Sequence, residues 1–354
     1  MRPTRLASAI CAALLPILAV APAVSQATGP YKILKNVKVG GEGGFDYVTA
    51  DSVNRRLYIA RSGAPPVGRI YVFDLDTLAP VGEIANTSAH GAAIDVASNH
   101  GFGSSKPLAM WDAKTLAPIK TIDVQGNPDG LFAEASTGRI YVLSHSAPNV
   151  TVINAKDGSI VGTIDLGGAP EQAASDGKGH LYIDLEDKDK IAVVDTKTLA
   201  VTTTYDLAGK GGTCAGLAID AKNNILFATC RKPQTMVILN AATGAILDTL
   251  PIGAGTDGAA FNPATMEAFS SQGDGTLTVV KENSPTSFAV EQNLTTLPRA
   301  KTLALDPKTN HIVLITAEFG PTPAPAAPTA DNPNPRPARA PMIPGSFSIL
   351  VVGK

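Results

Sequence analysis

Seven short apolar segments of this 354-residue chain open with Asp46, His90, Asp129, Glu171, Ala215, Asp257 and Lys301. Six of these seven residues can carry charge, exchange a proton or ligate a cation. If the segments begin at one opening, carboxylates, an imidazole and an ammonium meet there. Crowded carboxylates repel and raise one another's pKa unless a cation, a lysine or a bound ligand sits among them. A hard divalent cation such as calcium, held by oxygens of Asp46, Asp129, Glu171 and Asp257, is one answer. A transition metal that also uses His90 is another. The plain alternative is a water-filled channel whose polar walls bond to backbone amides.

A second set lies on connections that return to the same side: Arg61, Lys106, His145, Glu186, Arg231, Gln272 and Glu318. Of these, Arg61, His145, Glu186 and Arg231 are expected on the rim of the opening, where they would contact a small-molecule or protein ligand.

Such convergence needs elements that bring distant stretches together, and the chain supplies them by repetition. The stretch 138–170, GRIYVLSHSAPNVTVINAKDGSIVGTIDLGGAP, reads as three apolar, β-branched strands separated by turns. The pattern returns at 57–84, 181–207 and 225–250. The third strand of each unit ends at Asp74, Asp112, Asn154, Asp195, Asn240 and Lys281, at steps of 38, 42, 41, 45 and 41 residues. A period near 40 filled by short strands is that of a four-stranded propeller blade. The fold class is therefore all-β, a seven-bladed propeller of antiparallel blades. Asp51, Asp95, Glu134, Asp176, Asp220, Asn262 and Asp306 each lie five residues beyond an opening residue. Their side chains are expected to cap the turn into the second strand. Residues 31–39 resemble a fourth strand with no first three before them, while the last repeat stops after three. Pairing the two closes the ring and hides an edge.

Two further features are structural. Pairing Ile219 with Ile225 across a hairpin sets Cys214 opposite Cys230, which predicts a cross-strand disulfide. Glu318 to Gly345 holds nine prolines and is expected to be an extended, solvated insertion of the last blade. It would cover the opening or recruit a partner.

The repeat units resemble the YVTN repeat of secreted bacterial propellers, the YncE-like group. Gly126-Asn-Pro-Asp129-Gly, Leu181-Tyr182-Ile183 and Ile191-Ala-Val-Val-Asp195-Thr-Lys-Thr carry the resemblance. Blades 2, 6 and 7 depart from it, with GFGSSKPLAMWD, with Lys281 and with the insertion. The resemblance implies architecture more than activity, because many functions share propellers. A binding or interaction role at the acidic mouth leads. The alternative is a metal-dependent hydrolase, lactonase-like, in which a cation polarises a carbonyl and a carboxylate activates water.

Residues 1–27 read as a cleavable signal peptide with a basic start and an apolar run, so a periplasmic or secreted product is expected. The propeller then spans 28–354, with the insertion at 318–345. Formal net charge is −2 and aromatic residues make up 5%. That balance argues against a nucleic-acid groove, which needs basic residues and stacking rings. No later segment is long and apolar enough to span a membrane, and a monomer is expected. GxSxG, HExxH and CxxC signatures are absent from the sequence. His100, His180 and His311 read as surface residues, and Tyr58, Tyr141 and Tyr182 as packing between blades.

Overall fold

The computed structural model describes residues 29–324 and 339–354. The expected signal peptide, 1–27, and the tip of the insertion, 325–338, lie outside the described residues. Every regular element among the described residues is a strand, and the strands form seven four-stranded antiparallel sheets. Blades 1 to 6 span Gly44–Ile84, Ala92–Ile122, Pro128–Ile164, Pro170–Asp206, Cys214–Pro251 and Thr256–Thr295. Blade 7 runs from Leu303 to Gly353, and its outer strand is Lys32–Lys38, paired antiparallel with Ser348–Gly353. Each inner strand neighbours the next, and that of blade 7 neighbours that of blade 1, so the ring is closed. Among the described residues no helix is long and apolar enough to cross a membrane.

The core lies between blades rather than within them. Tyr58, Tyr141 and Tyr182 are buried at equivalent positions, as their repetition suggested. A regular latch reinforces this packing. The first residue of the second strand reaches the next blade, where Arg56 donates to the carbonyl of Ala113, and Arg139 to that of Thr196. His100 Nδ1 takes the same place against the Ala155 carbonyl at 2.8 Å, so this half-buried imidazole is an inter-blade contact rather than a free surface residue.

All seven expected caps accept backbone N–H groups two or three residues on. Asp51 receives Val53 and Asn54, Asp95 receives Ser98, and Glu134 receives Ser136 and Thr137. Asp176, Asp220, Asn262 and Asp306 do the same for Lys178, Lys222, Ala264 and Lys308. A carboxylate fixed two residues before an amide mimics a turn, which is why these side chains recur where the chain reverses.

Cys214 and Cys230 form a disulfide closing a sequence separation of 16 residues. A loop of that length contributes about 3 kcal/mol in the chain-entropy account. The register that suggested the bond needs one correction. Ile225 pairs with Asp220, not Ile219, and a bulge between Cys214 and Gly216 brings the cysteines opposite each other.

The insertion also differs from expectation at its feet. Phe319 pairs with Met342, Gly320 donates to the Pro341 carbonyl at 2.9 Å, and Ile343 donates to that of Glu318 at 2.8 Å. Phe319 tilts against Phe45 of blade 1. Phe319 and Met342 bring apolar surface that packs, so the ends of this segment join the domain rather than remain solvated.

Candidate functional site

Backbone irregularity aims the opening residues into the channel mouth. In blades 1, 3, 4, 5 and 6 the register of the inner strand shifts at its start, between Phe45 and Val48, Pro128 and Leu131, Pro170 and Ala173, Cys214 and Gly216, and Thr256 and Gly258. Asp46, Asp129, Glu171, Ala215 and Asp257 fall within these bulges, and an extra residue there redirects a side chain out of the pleat. His90 and Lys301 lie two residues before their strands, which begin at Ala92 and Leu303. Both had been expected as first strand residues.

The side chains form a nearly closed circuit. Asp46 Oδ2 lies 3.2 Å from His90 Nδ1, which is 3.3 Å from Asp129 Oδ1. The other Asp129 oxygen is 3.4 Å from His145 Nε2, itself 3.5 Å from Glu171 Oε1. Glu171 faces Glu186, and Arg231 lies 3.3 Å from Glu186. Arg231 and Lys301 both bind Asp257, and Lys301 returns to Asp46 at 3.6 Å. Charges alternate around this circuit everywhere except at Glu171–Glu186.

The electrostatics follow from that order. Burial raises Glu171 to about 7, and the carboxylates of Glu186 and Asp257 add to the shift against the opposing bond from His145. Glu186 stays low because Glu171 holds the proton and Arg231 faces its other side. His145 is raised to about 9 by its bond to Glu171, and His90 is raised by Asp46. Burial works to raise Asp46, but His90 and Lys301 outweigh it and hold it low. Burial raises Asp129, with His90 offsetting part of the effect.

Three residues outside the expected site set form the floor. Tyr47 crosses the channel from blade 1 and donates to Glu171 Oε2 at 3.2 Å. The Gln172 amide spans three blades: it accepts from Leu217 and Ala259 N–H and donates to the Ala259 carbonyl. Asp184 is fully buried, accepts the Gln172 N–H at 2.6 Å, and is pushed well upward by burial. Each sits in or opposite a bulge, which strand alternation alone does not reveal.

Arg61 is the expected rim residue that does not face the mouth. It is fully buried, stacks over Phe347 at 4.0 Å and donates to the Gly43 carbonyl at 2.9 Å. Desolvation lowers it to about 10. It braces the loop before blade 1. Beside that loop a cavity of about 660 Å³ runs from Asp46 and Lys301 to the feet of the insertion. Phe45, Phe319 and Met342 give it apolar walls, and Arg299 and Arg339 give it charge. The Arg299 guanidinium lies 3.8 Å above the Phe319 ring and has no carboxylate partner among the described residues.

The fold and its mouth define a seven-bladed β-propeller. The chain is similar in fold to one in the solved structure "Crystal Structure of Mitotic Checkpoint Complex", with a TM-score of 0.68 and 13% identity, covering 87% of this chain and 96% of that one. It is also similar to "Structure of U3-55K", with a TM-score of 0.67 and 11% identity over 92% of this chain and 99% of the other. No family model and no curated protein matches the sequence. At these identities the likeness concerns the fold alone.

Proposed function

We propose that this protein is an exported, monomeric binding propeller of the YVTN-repeat kind, and that its channel mouth takes a small molecule with an apolar body and an anionic group. The YVTN assignment rests on the repeat residues, and export rests on the character of residues 1–27. The observation that carries the ligand class is the cavity between the ring and the insertion. Its volume, about 660 Å³, falls in the range of small-molecule sites. Phe45, Phe319 and Met342 suit an apolar body, while Arg299 and Lys301 suit an anion. Propellers also serve as docking surfaces for proteins, and one similar structure is of a mitotic checkpoint complex. A cavity of this size favours the small molecule. The fold likeness carries no chemistry and does not favour the hydrolytic alternative.

Anilinonaphthalene sulfonate, an aromatic anion, is the probe that tests this reading. The mature protein should bind it at one site with enhanced emission. Arg299→Glu should weaken binding at least about tenfold, the cost of one charge-assisted contact. Lys114→Glu, the same charge change at an exposed turn of blade 2, should leave it unchanged. Equal binding by the wild type and Arg299→Glu would overturn the assignment.

A further inference from the structure

We propose that the arc Asp46–His90–Asp129–His145–Glu171 is a site for two divalent first-row transition ions of the zinc class, bridged by the Asp129 carboxylate. The proposal rests on the reading of the mouth as the binding face, but uses the side of the ring opposite Arg231 and Asp257. Two groups of three donors lie within 4.8 Å of one another: Asp46, His90 and Asp129, and then Asp129, His145 and Glu171. Asp129 belongs to both, and offers one oxygen to each. A bridging carboxylate between two such trios is the arrangement of two-metal sites.

The separations along the arc leave room for an ion between the donors. Nitrogen–oxygen distances along the arc are 3.2, 3.3, 3.4 and 3.5 Å. A charge-assisted N–H···O bond draws its atoms to about 2.7–2.9 Å. A tetrahedral ion with bonds of about 2.0–2.1 Å instead keeps its donors about 3.3–3.4 Å apart. The arc is compatible with the second spacing, and its His90–Asp46 pair at 3.2 Å also lies within hydrogen-bond reach. Asp129 Oδ1 is the independent sign. It is buried and accepts no hydrogen bond, although His90 Nδ1 stands 3.3 Å away. A buried carboxylate oxygen without a donor is costly, and a cation between it and the imidazole would satisfy both.

The donor set and its surroundings narrow the ion. Imidazole nitrogen with carboxylate oxygen, and no thiolate, suits zinc, cobalt, nickel or iron rather than calcium, which prefers six to eight oxygens at longer distances. Orienting partners are in place outside the arc. Lys301 holds the second oxygen of Asp46 at 3.6 Å, and Tyr47 donates to the second oxygen of Glu171 at 3.2 Å. Such outer contacts fix ligands before the ion arrives. The two imidazoles are each nearly half-exposed, leaving a solvent-facing position on each ion. Asp257 was among the expected ligands, but Arg231 and Lys301 both engage it and it joins neither trio.

Equilibrium dialysis of the chelator-treated mature protein against cobalt(II) tests this, with visible absorption reporting coordination. Two equivalents should bind, with bands of low-symmetry cobalt. His90→Ala and His145→Ala should each remove one equivalent, and Asp129→Asn, which keeps the shape but replaces one ligating oxygen by an NH2 donor, should weaken both by at least about tenfold. Unchanged far-ultraviolet dichroism of Asp129→Asn separates ligand loss from misfolding. One equivalent or none in the wild type, or two retained in all three variants, overturns the proposal. Dye binding lost in Arg299→Glu but kept in Asp129→Asn would show the ligand reading standing whatever the metal result.

Discussion

A protein beginning at Gly40 should unfold at a midpoint on the order of 10 °C below that of the mature chain, and over a broader range. The segment it lacks does two things. Lys32–Lys38 covers the outer edge of blade 7 through its ladder to Ser348–Gly353. Tyr31 is buried between blades 6 and 7, edge-on to Phe269, and the Gln292 side chain clasps its backbone N–H and carbonyl at 2.9 Å each. Its hydroxyl donates to Glu267, which also binds Lys354 at 2.7 Å. Removing Tyr31 gives up about 1.5–3 kcal/mol of ring burial. It also leaves the Gln292 side chain without its partner and Glu267 with its lysines alone, at about 1–3 kcal/mol for each lost bond that water does not replace. Most of the strand itself is exposed, so its ladder returns little beyond the entropy of ordering it. The larger cost is the lost closure, with an unpaired edge open to association. Calorimetry of the two proteins reads the difference. Coincident melting curves would mean that the ring does not depend on its terminal strand.

Asp306→Ala should destabilise the folded protein by about 2–3 kcal/mol and flatten its acid unfolding. Asp306 accepts both terminal nitrogens of Arg55, at 2.9 and 2.8 Å, together with Ser52 and Thr309 hydroxyls. This joins blade 7 to blade 1 on the face opposite the mouth. The carboxylate is buried and Arg55 is 15% exposed, so breaking the pair strands a charge that only Asp76 still faces. Water near Arg55 screens part of the attraction, which places the loss below that of a deeply buried pair. Burial alone would raise Asp306, but Arg55 and the hydroxyl donors hold it well below the usual carboxylate range. A depressed folded-state pKa gives stability that is present above the unfolded value near 4 and is lost as pH falls through the folded one. The wild type should therefore lose stability steeply below about pH 4, and the variant less steeply. Urea titrations from pH 6 to pH 2 measure both slopes, and parallel slopes would remove Asp306 from the acid transition.

Local hydrogen bonding made much of the fold readable. Asp74, Asp112, Asn154, Asp195 and Asn240 end third strands by accepting N–H groups two residues on, so their spacing carried the period. Lys281 broke the series because blade 6 continues past it into a longer hairpin, Thr276–Ser284 with Ser287–Thr295. The mouth was readable as a set of residues but not as a circuit. His145, expected on the rim, stands within the ring between Asp129 and Glu171. Arg61 occupies a matching rim position yet turns inward, because Phe347 offers its guanidinium a ring and the glycine loop offers carbonyls. A residue type does not choose between those environments. Tyr47 and Gln172 escaped notice because bulges break strict alternation, and the same irregularity misplaced the Ile219–Ile225 pairing by one residue.

Hydrogen exchange with and without saturating anilinonaphthalene sulfonate tests most directly whether the mouth is the face that binds. Bound probe should slow exchange in 41–46, 271–275, 297–303 and 317–320, which surround the cavity. Amides in the turns of the opposite face, near 53–56, 96–99 and 135–138, should exchange at unchanged rates. Protection confined to those turns, or to the outer strands of the blades, would contradict the account.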